Sequence, residues 1–300
     1  MNRRDFIKTG AIGGASLLAN PLLNKSSIKN YKLGYQLFSI RDRMDSNPIA
    51  TLKKLKSVGY QDFEIYGYDA KQNSIYGFPP HELIKILEDL NLTVSSGHYG
   101  FSDYLHKSDS LLEEFVDKCI VAAKELKSKY ITWPWLDPAQ RTMDNYKIMG
   151  GKLNKIGEQV TKAGLGFAYH NHGFEFEDHN GSSGYQIILN ETDPSLVKLQ
   201  LDMYWVMHSS NLTPKEIVES QPGRIVMWHI KDMDKVTRDY TELGNGSIDY
   251  KKLLPDPANS GLEYYFIEQG GNFSIDSMNS AIQSANYFKE NLRDQLPVAN

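Results

Sequence analysis

From Leu33 onward, short apolar runs alternate with longer stretches in which apolar residues recur every three to four positions. The short runs have the length of strands, and the longer ones the period of helices with one buried face. Leu33 to Phe38 reads as the first strand, and Pro48 to Val58 as a helix with Asn47 as its N-cap. Asp62 to Tyr66 is the second strand, followed by a helix over Pro80 to Leu90 that opens on proline. Leu92 to Ser96 and Tyr130 to Trp133 are strands three and four, followed by amphipathic helices over Ser108 to Leu126 and Met143 to Ala163. Leu165 to His170, Val197 to Asp202, Arg224 to Ile230 and Glu263 to Glu268 complete the strands. Helices near 184–190, 214–220, 250–254 and 275–292 separate and follow them.

Alternating strand and helix predicts a parallel sheet covered by helices. Eight such units without a composition break predict closure into a (β/α)8 TIM barrel, a single α/β domain over residues 30–295, with its active site at the carboxyl ends of the strands. No G-x-G-x-x-G or Walker sequence follows any strand, which weighs against a nucleotide-binding open sheet.

Residues 1–24 have a different pattern. Arg3-Arg4-Asp5-Phe6-Ile7-Lys8 precedes the small, apolar run Thr9 to Ala19 and then Pro21. That is the pattern of a twin-arginine export signal cleaved near Ala19, which implies a periplasmic or exported protein. The run is too short for a permanent transmembrane helix, and no cysteine follows it to carry a lipid, so no permanent membrane anchor is expected. The formal charge is −4. Without the net +2 of Arg3, Arg4, Lys8 and Asp5 it becomes −6. With no long basic run, the charge argues against nucleic acid as a partner. Cys119, the single cysteine, excludes an intramolecular disulfide and sits in an amphipathic stretch as a buried structural thiol.

The strand ends carry the chemistry. They present Glu64, His98, Trp133 and Trp135, His170 and His172, Asp202, His229 and Lys231, and Glu268. A single His or Asp closing a strand is ordinarily a cap or a satisfied core group. Capping alone does not account for so many in one chain. Alternation along strand five puts His170 and His172 on one face. Asp202, His229 and Glu268 form an oxygen/nitrogen/oxygen set from three successive strands. This set suits one divalent ion of Mn²⁺, Mg²⁺, Co²⁺ or Zn²⁺, and its lack of thiolate argues against a closed structural zinc site. His170 is the strand-five residue in register to complete it.

Several motifs occur in order from Leu33 to the C-terminal helix. They are Leu33-Gly34-Tyr35-Gln36-Leu37-Phe38-Ser39-Ile40-Arg41-Asp42, Tyr169-His170-Asn171-His172-Gly173-Phe174-Glu175-Phe176, and Gln200-Leu201-Asp202-Met203-Tyr204-Trp205. His229-Ile230-Lys231-Asp232, Gly244-Asn245-Gly246-Ser247-Ile248-Asp249 and Glu268-Gln269 follow. Together they resemble the xylose isomerase-like TIM-barrel superfamily, the sugar phosphate isomerase/epimerase group. The resemblance implies a divalent metal held by Glu, Asp, His and Glu from strands five to eight. Asp202, His229 and Glu268 match the last three. Where many members have Glu-Asn-His, this chain has His170-Asn171-His172, so either His170 or Glu175 supplies the fourth ligand. The Tyr-His-Asn-His variant is similar to the branch that includes inosose dehydratase-like proteins. The Asp-x-x-His of the endonuclease IV relatives is absent, because Trp205 stands in the place of its histidine.

The chemistry implied is removal of a proton beside a carbonyl, with the metal stabilising the enediolate. Glu268, His170 and His172 are candidate bases, while Lys231 and His98 are placed to orient hydroxyls or protonate a leaving oxygen. Glu64, His98, Trp133, Trp135, Glu175 and Tyr204, with Trp205, are the candidate substrate-binding residues. The leading expectation is a metal-dependent isomerase or epimerase acting on a non-phosphorylated sugar. Next comes a keto-sugar or keto-cyclitol lyase, dehydratase or hydratase on the same site. A non-catalytic carbohydrate-binding protein is the reading from another class. The expected partner is a small sugar or keto-sugar, with homo-oligomerisation left open.

Overall fold

The computed structural model describes residues 30–296, so the export-signal segment lies outside the described residues. The barrel strands are Gly34–Gln36 (β1), Asp62–Ile65 (β2), Thr93–His98 (β3), Tyr130–Trp133 (β4), Gly166–His170 (β5), Lys198–Asp202 (β6), Ile225–Ile230 (β7) and Tyr264–Ile267 (β8). Each pairs in parallel with its sequence neighbours, and β8 closes on β1. The result is a (β/α)8 TIM barrel.

Helices follow the strands where the amphipathic pattern places them, and local caps set their starts. Asn47 accepts from Ala50 N ahead of Pro48–Val58, Ser108 from Leu111 N, and Thr142 from Asn145 N. Thr213 and Glu216 form a reciprocal capping box at Pro214–Ser220. Cys119 is buried within Asp109–Glu125. None of the helices in the described residues is long and apolar enough to cross a membrane.

Four local differences from the sequence reading bear on the site. The chain leaves β1 at Gln36, whose side chain accepts from Phe38 N and turns 37–40 into a 3-10 helix. β3 runs on to His98 rather than stopping at Ser96, because Gly97 leaves room for Ile65, whose Cγ1 would lie only 2.8 Å from a Cβ there. β5 stops at His170, so His172 sits in the following loop rather than on the strand face. A helix over Met203–Ser209, missed in the sequence, starts directly on Asp202, whose carboxylate accepts from Trp205 N.

The barrel interior is layered. A small apolar cluster that includes Tyr130, Ala168, Met227 and Phe266 fills it below the site. Above that cluster the usual branched aliphatic packing gives way to buried Gln36, Glu64 and Gln200. Strand register shifts at Phe63/Glu64 and at Leu199/Gln200. Such bulges re-aim side chains, and here the two re-aimed groups meet across the barrel, with Gln200 Nε2 2.6 Å from Glu64 Oε1.

Candidate metal and acid-base site

Side chains from four adjacent strands converge at the carboxyl end of the barrel. His170, Asp202, His229 and Glu268 are buried, and each places a donor atom within 4.8 Å of the others. Register accounts for the convergence. Asp202 pairs with His229 and Gln200 with His170, while Glu268 N donates to Ile230 O.

Glu64 supports this cluster from below. Its Oε2 lies 2.6 Å from His229 Nε2 and 3.0 Å from His98 Nε2, and accepts from Gln36 Nε2 at 2.6 Å. Burial opposes its charge, but His98 and His229 outweigh burial and hold Glu64 well below the usual carboxylate range. His229 Nδ1 faces Glu268. Burial works against a charged His229, yet Glu64 and Glu268 lift its pKa to about 9. Binding of a cation at Nδ1 would leave Nε2–H on Glu64, the carboxylate–histidine arrangement that supports metal-ligating imidazoles.

Lys231 Nζ sits 2.6 Å from Asp202 Oδ2 and 2.9 Å from Glu268 Oε2. Burial disfavours its charge, but the two carboxylates overcome that and keep it an ammonium. Lys231 and His229 likewise keep Glu268 ionised against burial. For Asp202, burial raises the pKa and Lys231 offsets only part of the rise. The Lys231 ammonium is the neighbour of Asp202 Oδ2, and no other donor reaches that buried oxygen among the described residues. A buried carboxylate oxygen in that state is suited to a cation. Two imidazoles and two carboxylates around one point fit a divalent ion. His98 also approaches His170 and His229. Its Nε2 is committed to Gln200 and Glu64, so it supports the cluster rather than joining it.

A cavity of about 930 Å³ opens above the cluster, and His98, His170, His172, Lys231 and Glu268 line it. Phe38, Tyr66, Trp135, Phe174, Trp205 and Tyr240 supply aromatic walls. His172 is unlike the other histidines here. Its ring stacks on Phe174 with centroids 5.5 Å apart and meets Trp135 edge-on at 5.0 Å. Its Nδ1 is buried without a partner. Burial first, then Lys231, holds the imidazole well below its ordinary pKa and therefore neutral.

Four candidate substrate-binding residues, Trp133, Tyr204, Glu175 and Glu64, do not line the cavity. Trp133 is fully buried, stacks on Phe101 at 5.5 Å and donates to Trp135 O at 2.7 Å, so it is core packing. Tyr204 is also buried; its hydroxyl donates to Arg238 O at 2.9 Å, and its ring packs on Trp205 and Tyr240. Glu175 does not turn back toward the metal cluster. It accepts from Tyr169 OH at 2.6 Å and from His172 N at 2.8 Å, which clamps the loop that carries His172. Burial raises the Glu175 pKa to about 7 against these hydrogen bonds. Glu64 lies beneath the cavity, whereas His98 and Trp135 line it.

Sequence reasoning missed Gln36 and Gln200, although polar residues inside Leu33-Gly34-Tyr35-Gln36-Leu37 and Leu199-Gln200-Leu201 were a readable signal of inward polar contacts. Tyr240 comes from the short strand Tyr240–Thr241, which pairs antiparallel with Asp232–Met233 after β7, and had no such signal. The Gly244 to Asp249 motif is structural. Asp232 accepts from Gly244, Gly246 and Ile248 backbone N–H groups at 2.8 to 3.1 Å. A Cβ on Gly246 would sit 2.1 Å from Asp232 Oδ1, and Gly244 has a φ of +94°.

No protein-family model matches the chain. An inosose dehydratase from Clostridium botulinum is 26% identical over 172 residues, which cover 49% of this chain and 55% of that protein. The chain thus matches little more than half the length of that curated relative. A sugar phosphate isomerase/epimerase from Parabacteroides distasonis ATCC 8503 superposes with a TM-score of 0.75 at 24% identity, covering 92% of this chain and 99% of that one. The IolI protein with a bound zinc atom superposes with a TM-score of 0.66 at 15% identity, covering 89% of this chain and 100% of that one. These likenesses show the fold, a (β/α)8 TIM barrel shared with those two proteins.

Proposed function

We propose that the protein is a metal-dependent lyase or dehydratase that removes the proton beside the carbonyl of a non-phosphorylated keto-sugar or keto-cyclitol. The carrying observation is His172. It lines the cavity beside the four-residue cluster, and its ring makes no hydrogen bond among the described residues. A neutral imidazole with uncommitted nitrogens is the form that accepts a proton from carbon. His170, Asp202, His229 and Glu268 would hold the divalent ion, which as a Lewis acid supplies stabilisation for the oxyanion that develops. Lys231 spends its ammonium contacts on Asp202 and Glu268, and a third N–H remains for a leaving oxygen at the cavity wall. Glu175 and Asn171 hold the loop and strand end in place; Asn171 exchanges hydrogen bonds with the Asp202 backbone at 3.0 and 3.3 Å.

Elimination is placed ahead of the epimerase first expected from the sequence because, among the described residues beside the cluster, His172 alone presents a neutral imidazole with both ring nitrogens uncommitted. Inversion at a carbon requires a base on each face. Glu268 Oε2 is engaged by both His229 and Lys231, and His170 Nδ1 is tied to Gln200 at 2.9 Å. The isomerase or epimerase reading retains support from Glu268, which lines the cavity, and from the Parabacteroides fold neighbour. A non-phosphorylated substrate is favoured at the cluster, where Lys231 is committed to carboxylates; Arg141 lines the cavity stacked on Phe174 at 3.8 Å, with Nε on Leu136 O and Nη2 without a hydrogen-bond partner among the described residues. Export by the twin-arginine route, which rests on residues 1–24, agrees with that choice; periplasmic fractionation of tagged protein with and without Arg3→Lys and Arg4→Lys tests it.

The function is tested by incubating metal-loaded protein with keto-sugars and keto-cyclitols in D₂O and reading products by NMR and mass spectrometry. Loss of water or of another β-substituent supports the lyase. Deuterium entering an otherwise intact isomer supports the isomerase or epimerase instead. Absence of both exchange and product, with metal and ligand bound, overturns the enzyme reading in favour of a carbohydrate-binding protein.

A further inference from the structure

We infer that Gln200 is a positioning residue that fixes the tautomer of His170, and so builds a two-nitrogen, two-oxygen donor set matched to a zinc-like ion rather than Mg²⁺. This rests on the metal-site reading above and narrows it.

The partners of the Gln200 amide fix its direction. Its Nε2 is 2.6 Å from Glu64 Oε1. An ionised carboxylate only accepts, so the amide NH₂ must face Glu64. That orientation turns Gln200 Oε1 toward two imidazoles, 2.8 Å from His98 Nε2 and 2.9 Å from His170 Nδ1. A carbonyl oxygen also only accepts, so both of those ring nitrogens carry hydrogen. His98 fits this assignment, since its Nδ1 then has a lone pair facing Gln36 Nε2 at 3.3 Å. For His170 the consequence is chemical. With the proton on Nδ1, the neutral ring presents the Nε2 lone pair, and Nε2 is the nitrogen on the side of Asp202, 3.7 Å from Oδ2.

The backbone makes the arrangement specific. The register shifts at Phe63/Glu64 and Leu199/Gln200 fall on the two partners of the amide–carboxylate contact. Both side chains are fully buried, and among the described residues Met227 Sδ, at 3.6 Å, is the one further hydrogen-bond partner of Gln200 Nε2. A leucine at this position would offer His170 no acceptor. A glutamate would set a second carboxylate against Glu64.

The resulting donors are His170 Nε2, His229 Nδ1 and the carboxylates of Asp202 and Glu268. A glutamate at the strand-five position would make the set one nitrogen and three oxygens. Replacing it with a tautomer-locked histidine lowers the negative charge by one and adds a borderline-soft ligand. Imidazole donors favour Zn²⁺ and Co²⁺, whereas Mg²⁺ selects hard oxygen in octahedral geometry.

The test is selective ¹⁵N-histidine NMR of the metal-free protein, with His170 assigned by its absence in His170→Asn, together with Zn²⁺, Co²⁺ and Mg²⁺ titrations. Wild type is expected to show His170 as the Nδ1–H tautomer. Gln200→Met is expected to lose that preference and to bind Zn²⁺ and Co²⁺ roughly 10- to 100-fold more weakly, with little change for Mg²⁺. His170→Glu is expected to narrow the Zn²⁺-to-Mg²⁺ preference. An Nε2–H tautomer in wild type overturns the proposal without reference to any variant, so it stays decidable if Gln200→Met does not fold. Undiminished Zn²⁺ affinity in folded Gln200→Met overturns it while leaving the metal-site reading intact. Wild type that takes up none of the three ions overturns both.

Discussion

The ends of β5 to β8 and the ends of β1 to β3 both bury polar groups, but the groups meet different neighbours. From the second half come His170, Asp202, His229 and Glu268, whose donor atoms face one another, and His172 and Lys231, which face the cavity. From the first half come Gln36, Glu64 and His98, whose contacts with other side chains run to that cluster, to Gln200 beneath it or to each other. One half therefore performs the chemistry and the other holds its geometry. Substitutions on the two sides should fail in different ways.

The largest effect is expected on the chemical side. Asp202→Asn should abolish stoichiometric metal and lower kcat on the order of 10³-fold or more, measured by metal analysis and steady-state kinetics. His172→Gln should lower kcat by about 10²- to 10⁴-fold while metal content stays at the wild-type level. Retained activity in His172→Gln would move the base to Glu268 and restore the epimerase reading.

Glu175 belongs to neither layer and sharpens the contrast through pH. Its folded pKa is about 7, above the ordinary 4.5. The folded protein thus holds a proton that the unfolded chain releases between those values. The Glu175 contribution to stability is full below about pH 4.5 and is lost as pH rises through 7. That difference is worth about 3 kcal/mol. Urea melts at pH 5 and pH 8 should show wild type losing this increment and Glu175→Gln losing little of it. An equal pH dependence in both would remove Glu175 from the account.

The smallest effect is expected on the supporting side. Glu64→Gln should weaken metal binding roughly 10- to 100-fold, yet leave kcat near wild type when the ion is saturating. A kcat loss as large as that of Asp202→Asn at saturating metal would break the division between the two halves.

How far the sequence carried this picture depended on the reach of each interaction. Strand and helix positions were legible because they are set by periodicity and caps within a few residues, as at Asn47 and Thr213. The cluster Asp202, His229 and Glu268 was legible because successive strand ends of a barrel face a common centre. The supporting layer was not, since its bonds join residues far apart, such as Glu64 with His229 and with Gln200, through bulges that no local pattern announces. Trp133 and Trp135 show the same limit at short range. Two residues apart, they part at the end of β4, one entering the core and the other the cavity wall. Glu175 was misplaced because a glutamate just past a strand end has the same sequence appearance whether it faces a metal or a tyrosine hydroxyl.

The most direct measurement is calorimetric titration of chelator-stripped wild type and Asp202→Asn with Zn²⁺, accompanied by metal analysis of the untreated protein. One saturable ion per chain in wild type, lost in a folded Asp202→Asn, is the predicted result. Absence of saturable binding in wild type, or equal binding in the two proteins, would contradict a metal centre built from His170, Asp202, His229 and Glu268.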